Sequence, residues 1–143
     1  MPMLDAPAFI ANGNINPSVF VKIDSTINFG VIQAAAATDK IFGVSDDGTY
    51  QPPGVTGSDG YAAHQNQPIK VYADGDVALI TVGVAAITAG DYLKSDANGK
   101  AVTVVFTLGA GTIFAGGQTL ESANPGELAR MFVRVQALPG ATA

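Results

Sequence analysis

The chain has no cysteine, no tryptophan and one histidine, and only 13% of its 143 residues are charged. Without cysteine there is neither a disulfide framework nor a thiolate metal site, so stability must come from packing or from partners, and the redox compartment stays open. Charge at half the roughly 25% of an average soluble domain leaves a surface short of repulsion. Apolar residues reach 48% and the mean hydropathy is +0.28. Such a surface is either covered by other subunits or is a neutral, Ala- and Gly-rich exterior that is soluble in its own right.

Basic residues are scarce as well. Lys22, Lys40, Lys70, Lys94, Lys100, Arg130 and Arg134 are spread along a chain of net charge −5, which offers no stripe to follow a phosphate backbone, so no nucleic-acid partner is expected. A long hydrophobic run is also missing. The stretch from Val77 to Ile87 is broken by Thr81 and Gly83 and falls short of the ~20 residues of a membrane helix. The start, "MPMLDAPAFIANGN", lacks the basic opening and apolar run of a signal peptide. The expectation is a protein made in the cytoplasm, unprocessed, with no membrane partner.

What the chain does have is 17 glycines, 8 prolines and many short alternating segments, which together predict an all-β fold. At this length one domain buries about two thirds of its unfolded surface. "VFVKID" (19–24), "GVIQAAAA" (30–37) and "DKIFGVSDDGTY" (39–50) read as strands, the second ending in an alanine run and the third punctuated by the turn pair Asp47-Gly48. "PIKVYADGDVALITVGVAAI" reads as two strands around Asp74-Gly75, the second apolar enough to lie centrally in the core. "DYLKSDANGKAV" reads as a hairpin, with Asn98-Gly99 supplying a type I′ turn. "NPGELARMFVRVQ" is either a short helix from Asn124 to Arg130 or a turn feeding a final strand; the alternation over Leu128 to Val135 favours the strand. Phe20 to Asp24 matches Tyr92 to Asp96, and Ile41-Phe42 matches Ile113-Phe114, both at a spacing of 72 residues. That echo reads either as duplicated halves or as strands reusing few residue types.

Residues 1–17 hold three prolines with no periodicity and yet contain Met3, Leu4, Phe9 and Ile10. They read as an extended arm with something to bury, either on a partner or on its own domain. The boundaries expected are an arm over 1–17, a β domain over 18–136 and a tail over 137–143. The loop from Gln51 to Gln67 is long enough to suggest a function, and Tyr50, Tyr61 and His64 in and beside it are candidates for an interface.

Chemistry finds little purchase. His64 is the lone imidazole, and no serine lies in a Gly-x-Ser-x-Gly context, so a nucleophilic triad is not supported. Asp46-Asp47, Asp74-x-Asp76 and Asp96-x-Asn98 carry oxygen donors suited to calcium, but each coincides with a turn and none has the remaining EF-hand spacing. The glycines at 109, 111, 116 and 117 lack the lysine of a phosphate loop. Glu121 and Glu127 are the only glutamates, and nothing favours them as a glycosidase pair. No catalytic residue, cofactor or metal is expected.

Three stretches together resemble the head-decoration, or capsid cement, proteins of tailed bacteriophages. They are "NPSVFVKIDS…VIQAAAATDKIFGVSDDG", "IKVYADGDVALITVGVAAITAGDYLKSDANGKAV" and "GELARMFVRVQ", within residues 16–136. The resemblance implies a small antiparallel β-barrel or β-tulip-like domain, forming a homo-oligomer, most often a trimer, on the outer surface of a virion. It implies a structural protein that cements neighbouring major capsid protein subunits and stabilises the head. The arm and the loop at 51–67 match no motif of that family. On this reading Met3, Leu4, Phe9 and Ile10 are the capsid-binding arm, adding a strand to a sheet of the capsid protein. Two other readings stand beside it. One is a carbohydrate- or receptor-binding module of a virion fibre or spike, stacking sugars on Tyr50, Tyr61 and Tyr72. The other is a hydrolase using carboxylates such as Asp74 and Asp76.

Overall fold

The computed structural model describes residues 9–49, 60–105 and 111–138. Its strands are β1 (Phe9–Ala11), β2 (Phe20–Ile23), β3 (Gly30–Gln33), β4 (Gly43–Ser45), β5 (Pro68–Ile69), β6 (Val71–Tyr72), β7 (Val77–Thr81), β8 (Tyr92–Ser95), β9 (Ala101–Thr103), β10 (Ile113–Thr119) and β11 (Leu128–Leu138). The fold is all-β, and among the described residues no helix is present. At Asn124-Pro125-Gly126 the chain turns, with Gly126 at φ +83°, and β11 follows directly. β11 reaches Leu138, past the boundary expected at 136. The sequence segment read as an arm joins the fold from Phe9 onward, because β1 pairs parallel with β3 and antiparallel with β5.

The strands form two sheets, ordered β5-β1-β3-β2-β4-β6 and β7-β11-β10-β8-β9. Both return on themselves. In the first, the outermost strands β5 and β6 are one stretch of chain interrupted only at Lys70, so that its start pairs with β1 and its end with β4. In the second, a parallel bridge from Val82, just beyond β7, to Ala101 in β9 joins the two ends, with the Gly83 N–H donating to the Ala101 carbonyl at 2.8 Å. Each sheet is thus a small barrel.

The two barrels are copies of one design, register for register. In the first, Val21 and Ile23 pair with Gln33 and Val31; in the second, Leu93 and Ser95 pair with Thr103 and Ala101. Val21 opposite Gly43 corresponds to Leu93 opposite Gly117. Phe9 opposite Ile69 corresponds to Ile80 opposite Ala129. The isolated bridge from Ile15 to Ala63 corresponds to that from Ile87 to Ala123. Buried hydroxyls recur too: Ser45 donates to the Asn16 carbonyl at 2.7 Å, and Thr119, its counterpart, to the Glu121 carbonyl at 2.7 Å. The match of Phe20–Asp24 to Tyr92–Asp96 is therefore structural. The match of Ile41-Phe42 to Ile113-Phe114 is not, because a longer connection after β9 shifts the register so that Phe42 corresponds to Gly116. The long loop of the sequence is an insertion in the first barrel: it lies between Ser45 and Ala63, where the second barrel needs only the short link from Thr119 to Ala123.

Two sequence expectations are corrected. β7 does supply the main core, through Ala78 and Ile80, but it is buried on one face and not on most sides, since Val77 is 52% exposed. Its apolar run reflects one face on the core and another on the surface. The turn at Asn98-Gly99 is not type I′, since only Gly99 has a positive φ, +74°. Asp96 and Lys100 are the last bonded pair, and the Asp96 carboxylate accepts from the N–H groups of Asn98 and Lys100 at 2.7 and 2.9 Å. That favours a three-residue loop with a left-handed residue at its end.

The first barrel has its own core of Ala11, Ile15, Val19, Val21, Val31, Ala63 and Ile69. A larger core fills the second barrel and the seam between the two, and Phe20, Ile41 and Val44 of the first barrel belong to it. Phe20 is the keystone of the seam. It is fully buried, and its ring lies where a side chain at Gly116 would have to stand. Its N–H donates to the Gly99 carbonyl at 2.8 Å, Thr81 N–H donates to the Ser18 carbonyl at 2.8 Å, and the Gln33 amide donates to the Asn98 carbonyl at 2.8 Å. Truncating a buried phenylalanine costs about 3–5 kcal/mol. Phe20→Ala is expected to lower the unfolding free energy by that amount in urea titrations, with Phe20→Leu losing less; equal stability of Phe20→Ala and the parent would contradict this account of the seam.

Candidate functional site

The residues that sequence chemistry singled out do not converge. His64 and Tyr61 meet edge to face, with ring centroids 5.7 Å apart, but Tyr50 lies outside the described residues. The His64 N–H donates to the Gln67 side chain at 2.8 Å, and the Gln67 N–H donates back to the His64 carbonyl at 3.1 Å. This is a turn, with Asn66 at φ +69°. Among the described residues no three His, Asp or Glu side chains gather as a metal site would require.

Three of the acidic residues are held by the backbone in one repeated device. The Asp76 carboxylate accepts from Ala73 N–H at 3.0 Å, Asp91 from Thr88 N–H at 2.9 Å, and Glu127 from Asn124 N–H at 3.0 Å. In each case the preceding residue is a glycine with positive φ: Gly75, Gly90 and Gly126. Gln67 after Asn66 is the amide version. The pattern Gly-acid-apolar before a strand was the signal for these turns, and reading Asp74-Gly75 as a simple turn pair missed the role of the acid. Asp74 instead accepts from Val135 N–H at 2.8 Å, tying that turn to β11. Glu121 faces Arg130 at 3.8 Å, apart from Glu127. Asp74 and Asp76, and likewise Glu121 and Glu127, therefore serve the fold separately.

Charged side chains gather along an open groove of about 610 Å³ on the first barrel, lined in part by Lys22, Ile23, Asp24, Asp39, Lys40 and Phe42. Lys22 and Asp39 form an ion pair at 2.9 Å. Burial pushes the Asp39 carboxyl up, but the N–H groups of Ala35 and Ala36 and the Lys22 ammonium outweigh it and hold Asp39 below the usual carboxylate range. Asp24 is also held low, chiefly by the Asn12 amide and then by the N–H and hydroxyl of Thr26. These contacts fasten loops. They leave the groove without a free acid-base pair.

Apolar surface is the more distinctive feature. Ile10, Ile23, Ile27 and Phe29 of the first barrel are 38, 49, 36 and 58% exposed. On the second barrel Val77 and Phe132 are cross-strand partners and both exposed, and Tyr92 and Val105 are exposed at the outer end of the β8–β9 hairpin. Of the expected arm residues, Phe9 is half-buried with its ring 5.2 Å from Phe42, and Ile10 shows its side chain to solvent; Met3 and Leu4 lie outside the described residues. Sequence reading did not single out Phe29, Tyr92 or Phe132, because alternation assigns a residue to a face without saying whether that face is covered.

No family model matches the sequence, and no curated protein matches it. Among solved structures the chain is similar to the N base of the head fibre gp8.5 of bacteriophage phi29. The TM-score is 0.52 at 14% identity, over 92% of this chain and 95% of that one. At that identity the likeness is one of fold, and it spans both barrels.

A carboxylate whose folded pKa is depressed stabilises the protein above its unfolded pKa and loses that contribution as pH falls through the folded value. Stability should therefore decline below about pH 4. Asp39→Asn is expected to be less stable than the parent at pH 7 and to show a flatter decline between about pH 4 and pH 2, read from urea midpoints across a pH series. Parallel curves for the two proteins would remove Asp39 from this role.

Proposed function

We propose that this chain is a non-enzymatic structural protein of a phage virion that binds the outer surface of the head and cements neighbouring major capsid protein subunits. The observation that carries the reading is the fold shared across nearly the whole chain with a domain described as the base of a phage head fibre. The surface supports it: few charges, exposed apolar side chains on both barrels, and acids consumed by their own turns. A domain that binds only the assembled shell adds its binding free energy to that state alone, and many weak bridges act together through multivalency. A homo-oligomer, with a trimer favoured, multiplies the contacts. Phe9 and Ile10, with Met3 and Leu4 behind them, are the proposed capsid anchors, and Tyr50, Tyr61 and His64 a second contact.

The base-of-fibre description favours one other reading, a virion fibre module that binds a carbohydrate or receptor. The two separate by experiment. Purified protein is expected to co-sediment with expanded heads lacking their decoration and to raise their resistance to heat, while a glycan array stays blank. Protein that ignores heads and binds glycans would reverse the order of the two readings.

The anchors can be tested by truncation. Removal of residues 1–8 leaves β1 (Phe9–Ala11) in the chain, whereas removal of 1–14 would take it out. The chain lacking 1–8 is expected to keep its circular dichroism spectrum and lose at least tenfold in head affinity, about 1.4 kcal/mol. Unchanged affinity would take the anchor role away from Met3 and Leu4.

A further inference from the structure

We propose that the outward face of β7 and β11 on the second barrel docks an acidic, apolar-lined surface of another protein, which on the virion reading is a major capsid protein subunit. This rests on that reading and assigns a further contact, on the barrel opposite the arm.

The first half of β11 alternates strictly. Ala129, Met131 and Val133 are buried, while Leu128, Arg130, Phe132 and Arg134 are exposed. Cross-strand pairing sets Val77 opposite Phe132, Leu79 opposite Arg130 and Thr81 opposite Leu128, so side chains of both strands build one surface. Val77, Leu128 and Phe132 are 52, 49 and 39% exposed. Beside them lies a hollow of about 220 Å³ lined by Asp47, Tyr72, Val77, Ala78, Leu79 and Arg130. A sheet with one face in water alternates apolar inward and polar outward; here the outward row is apolar wherever it is not arginine or Thr81.

The charge on this face says what it fits. The chain has five lysines and two arginines, and both arginines stand here, on either side of Phe132. A guanidinium grips a carboxylate with two parallel hydrogen bonds and is more weakly hydrated than an ammonium. Arginine and aromatic residues are correspondingly enriched in interfaces and lysine depleted. Glu121 stands 3.8 Å from Arg130, beyond hydrogen-bond distance, and among the described residues Arg134 has no acidic partner. A second copy is poorly suited to supply the missing charge. The carboxylates of Asp74, Asp76, Asp91, Asp96 and Glu127 already accept backbone N–H groups, and two copies packed about Phe132 would set Arg130 against Arg134, like charge on like. The carboxylates therefore come from a different protein. A cement domain must hold two neighbours at once; with the arm on the first barrel and this face on the second, one chain carries both contacts, and each raises the effective concentration of the other.

The test uses the full chain and expanded heads lacking their decoration. One variant carries Arg130→Gln with Arg134→Gln, and another carries Phe132→Ser; both change exposed side chains and are expected to keep the parent's circular dichroism spectrum. Parent affinity is expected to fall as salt rises from about 0.05 to about 0.5 M, because screening shortens the reach of the arginines. The arginine variant is expected to bind at least tenfold more weakly at the lower salt and to lose most of that salt dependence, while Phe132→Ser loses at least tenfold at both. Unchanged head affinity in either variant would overturn the docking face and leave the virion reading standing. A parent that ignores heads would overturn both. Sedimentation in which Phe132→Ser abolishes self-association while head binding stays intact would give the face to a second copy, and so overturn the proposal as well.

Discussion

A ring that points out of its own barrel has to be covered by something, and in this protein Phe20 is covered by the second barrel. The rest of the architecture follows from that constraint. A side chain at Gly116 would collide with the ring, the Gly99 carbonyl at the end of the β8–β9 hairpin accepts the Phe20 N–H, and the larger core spans both halves. Without the seam, each barrel would have few apolar residues of its own, below the size at which a single core holds a domain comfortably. Joining them gives one larger core shared by both.

The scarcity of charge takes on a meaning beside this. The carboxylates at Asp76, Asp91 and Glu127 each satisfy an N–H at the turn that launches a strand, and Asp39 and Asp24 fasten loops in the same way. Acidic side chains here act as pieces of backbone. The outer surface carries few charges beside its hydroxyls, amides and exposed aliphatic or aromatic groups such as Phe29, Val77 and Phe132.

Much of the fold was legible in the sequence, because short alternating runs between glycine and proline declare strands. The final strand could be preferred over a helix since Leu128 to Val135 alternate with period two. What could not be read was set by long-range pairing. The apolar run at 77–81 looks central by composition, yet β7 pairs along its length with β11 alone, and composition does not encode the number of neighbours. The type I′ turn failed because Asp96 captures two amides and draws the loop to three residues. The repeat was half visible: Phe20–Asp24 and Tyr92–Asp96 keep their spacing, but insertions before Ala63 and before β10 shift every later match, so Phe42 paired in sequence with the wrong residue. Of the exposed apolar side chains, the sequence pointed to Ile10 but not to Phe29 or Tyr92, because alternation does not say whether a face is covered.

The return of each sheet upon itself has one more effect. An open sheet ends in a row of bare amides and carbonyls that any extended peptide can extend, and proteins commonly guard such rows with lysines or other charges. This chain has few charges to spare for guarding, and the splitting of one strand between β1 and β4, together with the Val82–Ala101 bridge, removes most of the need. With its strand edges largely taken up inside each barrel, the chain offers little backbone for the open-ended edge-to-edge stacking that produces fibrils.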